Sequence, residues 1–326
     1  MLAERVFWAG ALSRMSCLRP RGYTSNVLRV LLIGCGDIAL RIATLLHGRA
    51  VLAGLTRRSE DVPRLRAHGI VPIVGDLDDF RTLARVAIAP FAVLHLAPPP
   101  GEGRDDARTQ KLLAALTKRG RIPQRFVYIS TSGVYGDCAG ARVNEAHVRS
   151  ARTPRARRRV AAEDRVREWA ASHRVSASIL RVPGIYAQSR LPLERIRHGT
   201  PVLADGDDVY TNHIHADDLA RAVVAALFRG RPNRAYNVSD DAELLMGEWF
   251  DAVADAFGLP RPPRVSRDEA PSRIAPTLLS FMSESRRLSN ARMKAELRVR
   301  LRYPTPRTLL AAVTPRALKK QLALPL

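Results

Sequence analysis

The chain has 326 residues, is 46% hydrophobic and carries a formal net charge of +22 with only five lysines (Lys111, Lys118, Lys294, Lys319 and Lys320), so arginine supplies the basicity. That length can bury one large α/β core plus a smaller lobe, and the composition excludes disorder of the whole chain. No apolar run reaches the ~20 residues of a membrane span.

The arginines are spread along the chain with no nucleic-acid-binding motif and no interleaving of basic with aromatic residues. This argues against nucleic acid as the partner, and the basicity is read as a compositional habit together with one phosphate-rich cofactor. Cys17, Cys35 and Cys138 form neither a C-x-x-C pair nor a metal-ligand spacing, as suits a reducing, cytoplasmic location, and no metal is expected.

Residues 1–26 hold arginines, serines, one acid (Glu4) and a short apolar stretch, Val6–Leu12, and are expected to form a flexible extension. Val27–Ile33 then has the length and β-branched content of a buried parallel strand. Gly34-Cys35-Gly36 interrupts it, and apolar residues recur at helical spacing through Ile38, Ile42, Leu45 and Leu46 up to a stop at Gly48. Strand, glycine turn and helix place Gly34-Cys35-Gly36-Asp37-Ile38-Ala39 in the G-x-G-x-x-A pattern of a dinucleotide-binding loop. Gly34 permits the turn, Gly36 lets the backbone approach a pyrophosphate, and Ala39 lets helix and strand pack closely. The amides that open the helix would face the phosphates, with the helix dipole behind them.

Val51–Thr56 reads as the second strand. An acid at its end would hold the ribose 2′-hydroxyl of NAD, but the residues there are Thr56-Arg57-Arg58. Two arginines and a hydroxyl suit a 2′-phosphate, so NADP is expected, with NAD as the alternative. Val71–Val74 is a third strand ending in Gly75-Asp76-Leu77-Asp78-Asp79. Asp76 can accept a hydrogen bond from the adenine amino group; alternatively, Asp76 or Asp78 caps a helix beginning near Phe80. Ala92–Ala97 is a fourth strand, and the break at Pro98-Pro99-Pro100-Gly101 should border the cofactor. Arg108–Lys118 is helical, and Arg125–Ser130 is a fifth strand followed by Thr131-Ser132-Gly133-Val134-Tyr135-Gly136-Asp137.

These segments together resemble the extended short-chain dehydrogenase/reductases, the superfamily that includes the NAD-dependent epimerase/dehydratase family. The likeness rests on Gly34-x-Gly36, Gly75-Asp76-Leu77, His95-Leu96-Ala97-Pro98 and Tyr128–Gly136. Downstream, Leu180–Tyr186 resembles the L-R-P-G-x-Y-G segment, with Ala187 where its last glycine is usual. Asn212–Ala220 resembles H-x-D-D-[LV]-A, and Tyr236-Asn237-Val238 the late Y-N-V strand. The likeness runs from about Val27 to Leu310. It implies a Rossmann fold, a doubly wound parallel sheet over residues 27–185. A smaller substrate lobe follows over 186–326, from which 212–238 returns to the sheet. It also implies cofactor contacts from Ala97, Pro98, Val182 and Ile185.

The family's chemistry rests on a Y-x-x-x-K helix, with tyrosine as acid/base, lysine lowering its pKa and a Ser/Thr hydroxyl orienting the substrate oxygen. None of the seven tyrosines here has a lysine four residues later. Setting the helix Arg155–Trp169 by its Ala161-Ala162-Glu163, which resembles the family's A-A-E, gives the tyrosine position to Arg155 and the lysine position to Arg159. Thr131 takes the place of the catalytic Ser/Thr. This is the pattern of the atypical branch. Arginine, with its pKa above 12, cannot cycle a proton at pH 7. Tyr135, Thr131, Ser132, Cys138 and His147 are the remaining candidates, with Tyr135 and Thr131 taken as catalytic. Arg155 and Arg159 share one helix side and can hold an anionic substrate or ribose hydroxyls; the alternative is a solvated face.

From Leu191 the β-α alternation ends. Leu193–Arg197 and Val202–Tyr210 should build the lobe, and Asp217–Phe228 is a helix. His213 and His215 alternate on a short strand, with His215 read as packing. Helices are expected over Leu244–Phe257, over Ser289–Leu297 and after Tyr303-Pro304-Thr305-Pro306. Two functions follow: an NADP-dependent oxidoreductase or epimerase-like enzyme on a small, anionic substrate, or an NADP(H)-binding sensor without turnover. A second copy of the chain, in a homodimer, is the macromolecular partner considered.

Overall fold

The computed structural model describes residues 28–86 and 90–314. The extension expected over residues 1–26 and Val27, expected to open the first strand, lie outside them, as do Cys17, Lys319 and Lys320.

Strands and helices alternate as β1 (Leu28–Ile33), α1 (Asp37–Leu46), β2 (Ala50–Thr56), α2 (Val62–Ala67), β3 (Ile70–Val74), β4 (Ala92–His95), α3 (Ala107–Lys118), β5 (Arg125–Thr131), α4 (Pro154–Ser172) and β6 (Ser176–Val182). After an excursion into the lobe, α5 (Ala216–Arg229) and β7 (Arg234–Asn237) complete the main sheet. All seven strands are parallel, in the order β7-β6-β5-β4-β1-β2-β3. Ile33 stands opposite both Leu55 and His95, and Thr131 opposite Val182. The carboxyl ends of the central strands therefore share one edge, where sheets of this kind bind ligands.

Alternation along each strand sends apolar side chains to both faces. Leu32, Ile42, Leu180 and Val223 lie in one core layer under α1 and α5; Leu31, Val93, Leu112 and Val166 lie in the other under α3 and α4. Helix starts follow their caps: the Asp106 side chain accepts from the Thr109 amide at α3, and that of Thr153 from the Ala156 amide at α4, with Pro154 next. The lobe has its own core of Trp249, Phe250, Val253, Leu309 and Leu310, built on α6 (Met246–Phe257) and α7 (Pro306–Val313). Among the described residues no helix is long and apolar enough to cross a membrane.

Three sequence expectations change. The helix near Phe80 is a single 3-10 turn, Thr82–Arg85, and neither Asp76 nor Asp78 caps it; the Asp76 carboxylate instead accepts from the Asp78 amide at 2.9 Å. The helix expected over Ser289–Leu297 begins only at residue 291 and runs as a π turn over Met293–Leu297. Its beginning is drawn away because Leu288 pairs with Val143 and the Asn290 amide group donates to the Ser239 and Asp240 carbonyls. The helix expected from Leu244 begins at Met246, since Leu244 and Leu245 pair with Thr211 and Tyr210.

Candidate functional site

The turn after β1 is shaped by backbone. Gly34 has φ +93°, and a β-carbon there would lie 2.8 Å from the Ala97 amide nitrogen, so no other residue fits. A β-carbon on Gly36 would meet nothing within 4 Å, which leaves open space in front of the first amides of α1. Cys35 turns inward, its thiol donating to the Leu55 carbonyl at 3.4 Å, and burial pushes that thiol up to about 12. The thiol is therefore inert at neutral pH, and Cys35 serves the loop through its backbone. Asp37 would oppose an anion at the helix start, but its carboxylate accepts from Arg41 at 3.0 Å and lies 3.4 Å from Arg190. Arg41 also pairs with Asp217 of α5. Ile38 is half-buried and Ala39 buried against the core.

The two arginines at the end of β2 differ. Arg58 forms a two-pronged pair with Asp61 at 3.1 and 3.0 Å, and Asp61 also binds Arg64 and the buried Thr56 hydroxyl. Arg57 is exposed and makes no hydrogen bond or ion pair among the described residues. At the end of β3, Leu77 is buried, and Arg108 grips Asp78 at 2.9 and 2.6 Å, holding that carboxyl below its usual range. Ala97 is buried against Gly34, and Pro98 is exposed beside it. An open glycine cradle, a helix start whose acid is neutralised and one unengaged arginine together fit a phosphorylated dinucleotide.

Next to this loop lies a cavity of about 590 Å³, walled by Thr131, Ser132, Ile185, Tyr186, Trp249 and Phe281, among others. Arg190 also lines it, and so links cavity to phosphate loop through Asp37. The Thr131 hydroxyl accepts from the Gly133 amide at 3.2 Å, which fixes its rotamer at the wall. Val182 is buried at the end of β6.

The arginine run on α4 divides four ways. Arg155 lines the cavity, its guanidinium 3.6 Å from the centre of the Phe281 ring. Arg157 is exposed, whereas Arg158 is buried and donates to the Gly103 carbonyl at 2.8 Å. Arg159 turns to the sheet and donates to the Tyr128 hydroxyl at 3.0 Å and the Ile129 carbonyl at 2.7 Å. The run is therefore not a simple solvated face.

Tyr135 does not line the cavity. It is 1% exposed; its hydroxyl donates to Asn237 Oδ1 at 2.7 Å and accepts from Arg181 at 2.9 Å, and burial raises its pKa. Arg181 in turn grips the buried Glu163 at 3.1 and 2.8 Å. Cys138 and the exposed His147 also stand outside the cavity wall, whereas Ser132 is part of it.

Other wall residues come from farther along the chain. His213 lies against Trp249, ring centres 4.9 Å apart, and burial lowers its pKa to about 4, so it is neutral at pH 7. Glu284 and Arg286 form a buried pair at 2.9 Å, and Arg286 also donates to the Gly136 carbonyl at 2.6 Å. Trp249, Glu284 and Arg286 reach the wall through tertiary packing, with no motif of their own in the sequence.

Residues 39–239 match the family described as NAD dependent epimerase/dehydratase. A dTDP-glucose 4,6-dehydratase of Streptomyces griseus is 27% identical over 159 residues, 46% of this chain and 48% of that protein. The chain spans 36% to 48% of the lengths of the curated relatives it matches. A conserved protein of unknown function from Silicibacter pomeroyi superposes with TM-score 0.74 at 29% identity, covering 88% of this chain and 98% of that one. The UDP-glucose 4-epimerase of Thermus thermophilus, solved in complex with NAD, superposes with TM-score 0.67 at 22% identity, over 90% and 99%. With the matched segment running from Ala39, where the phosphate loop enters α1, through the cavity wall at Thr131 to the return to the sheet, the chain belongs to the NAD-dependent epimerase/dehydratase family.

Proposed function

We propose that this protein is an oxidoreductase or epimerase-type enzyme that binds NADP in preference to NAD and acts on a small anionic substrate without a Tyr-x-x-x-Lys pair. The observation that carries the proposal is the junction of the Gly34–Gly36 cradle with the Thr131 cavity through Asp37 and Arg190. Backbone from Gly34 to Ala39 would hold the diphosphate, Thr56 and Arg57 the adenosine ribose and its 2′-phosphate, and Asp76 and Leu77 the adenine. Arg58 acts through Asp61 to shape that corner. Ala97, Pro98, Arg159, Val182 and Ile185 would border the nicotinamide end.

When bound, the nicotinamide supplies a hydride donor or acceptor. The chain's own part is to fix the Thr131 hydroxyl where it can orient a substrate oxygen and to hold the substrate against the cavity walls. Tyr135 serves the fold in this reading: a buried hydroxyl with both hydrogen bonds taken has no substrate to reach. Residues 27–185, together with 212–238 returning to the sheet, would form the cofactor domain, and the rest of 186–326 the substrate lobe, of a cytoplasmic protein. The sugar-nucleotide names of the relatives agree with a small anionic substrate. Titrating NADPH and NADH into the protein tests the reading; saturable binding of neither would end it.

A further inference from the structure

We infer that Arg155 is an oxyanion anchor of the substrate cavity, taking a carboxylate or phosphate group of the ligand against its guanidinium edge. The assignment rests on the proposal that this cavity is the substrate site. Arg155 stands in the first turn of α4, just after Thr153 and Pro154 fix the helix start, so its backbone is rigid. Its guanidinium lies 3.6 Å from the centre of the Phe281 ring. The ring covers the guanidinium carbon from one side, and the N–H groups, which have no hydrogen-bond partner among the described residues, can offer two parallel bonds to an oxyanion. Among the described residues Arg155 makes no hydrogen bond and no ion pair, although it is partly buried and burial pulls its pKa down.

The neighbouring charges sharpen the point. Glu284 and Arg286, both cavity-lining, pair at 2.9 Å; the Glu284 charge acts on Arg155 without a hydrogen bond to it, and the Arg286 charge opposes that effect. Glu284 Oε1 and Arg286 Nε have no hydrogen-bond partner, which leaves polar capacity unmet at this end of the cavity. Glu194, also on the wall, is paired with Arg197, and Arg190 with Asp37, while Arg195 adds a further exposed positive charge. The local balance is positive, and a partly desolvated cation with no hydrogen-bonded counter-ion among the described residues favours a ligand that brings one. In the helix register above, Arg155 also holds the place that the family gives to its acid/base tyrosine. The anion would therefore sit beside the reacting carbon rather than at a remote end of the substrate.

The test titrates oxamate, its neutral counterpart oxamide, and inorganic phosphate calorimetrically into wild type, Arg155→Gln, Arg155→Lys and Phe281→Ala, with and without saturating NADPH. An anion should bind wild type while oxamide does not, and Arg155→Gln should weaken that anion at least about tenfold. Arg155→Lys should recover part of the loss, and Phe281→Ala, which removes only the stacking platform, should cost about two- to fivefold. NADPH affinity should be the same in all four proteins. Preference for oxamate assigns a carboxylate, and preference for phosphate a phosphoryl group; either supports the anchor. Equal anion affinity in wild type and Arg155→Gln, or no saturable anion binding by wild type, overturns it. Failure of wild type to bind NADPH would overturn the cofactor reading alone, because the anion arm is also read without cofactor.

Discussion

Arg159 and Tyr128 meet beneath the strand ends, the guanidinium donating to the phenol oxygen at 3.0 Å while it also reaches the Ile129 carbonyl at 2.7 Å. Behind them the contacts continue inward: the Tyr128 hydroxyl approaches Asp106 at 3.4 Å, Asp106 accepts from Thr109 at 2.7 Å, and Thr109 meets the buried His95 at 2.9 Å. Burial lifts the Tyr128 phenol to about 12 and lowers the His95 imidazole to about 4, so both stay neutral at pH 7. Arg159 is thus one of two points, with Glu163, at which a charged side chain of α4 bonds residues of the sheet.

If Arg155 and Arg159 hold the places of the absent tyrosine and lysine, hydride transfer with simple alcohols or ketones should be very slow in wild type. The double variant Arg155→Tyr with Arg159→Lys should gain turnover, since positioned acid/base groups contribute about 10²- to 10⁴-fold. Steady-state absorbance of NADPH with a panel of ketones measures it. No gain, with cofactor still bound, would count against that register.

The two loop glycines should separate stability from binding. Gly34→Ala meets a φ of +93° and the Ala97 backbone, and should lose about 1 to 3 kcal/mol in denaturant unfolding. Gly36→Val has open space, so its fold should persist by circular dichroism while cofactor affinity collapses. A Gly36→Val protein that binds cofactor as wild type does would make the turn purely structural.

Tyr135→Phe removes a buried hydroxyl held by Asn237 and Arg181 and should destabilise the fold by about 1 to 3 kcal/mol without changing cofactor affinity. Thr131→Ala should do the reverse: near-normal stability and lower turnover. Unfolding midpoints and initial rates on the two variants decide. Turnover abolished in Tyr135→Phe and spared in Thr131→Ala would return the acid/base role to Tyr135.

The strand–glycine–helix start was legible because it is written in local backbone requirements, and the parallel sheet because its strands are nearly continuous apolar runs such as Val30–Ile33. Tyr135 was harder to read. Its V-Y-G setting shows a tyrosine after a catalytic-type strand, but not that Asn237 and Arg181, 102 and 46 residues away, close over it. Arg57 and Arg58 look alike in sequence, and only the position of Asp61 tells the engaged one from the free one. Glu284, Arg286 and Phe281 reach the cavity from a segment whose local pattern carries no motif. Likewise, Ser289, whose amide donates to the Val143 carbonyl, and Asn290, whose side chain donates to the Ser239 and Asp240 carbonyls, are residues that periodicity alone assigns to a helix.

Asp240 provides a pH signature. It is 3% exposed, and burial lifts its carboxyl to about 8 from an ordinary 3.8. Between those values the folded chain keeps a proton that the unfolded chain has released, so this group's contribution to stability falls as pH rises through that window. Asp240→Asn should remove the dependence, raising stability by about 1 to 3 kcal/mol at pH 9 and leaving it nearly unchanged near pH 4. Thermal melts of both proteins across pH 4 to 9 check this; parallel curves would contradict it.

The central claim is that the loop after β1 and the end of β2 hold a phosphorylated dinucleotide, and a matched titration tests it most directly. NADPH and NADH are titrated by fluorescence into wild type, Arg57→Ala and Arg58→Ala. The unengaged Arg57 should give wild type about a 10- to 150-fold preference for NADPH, which Arg57→Ala largely abolishes while NADH affinity is unchanged. Arg58→Ala, which frees Asp61, should weaken both cofactors together. Equal affinity of wild type for NADPH and NADH, or a preference that survives Arg57→Ala, would contradict the account.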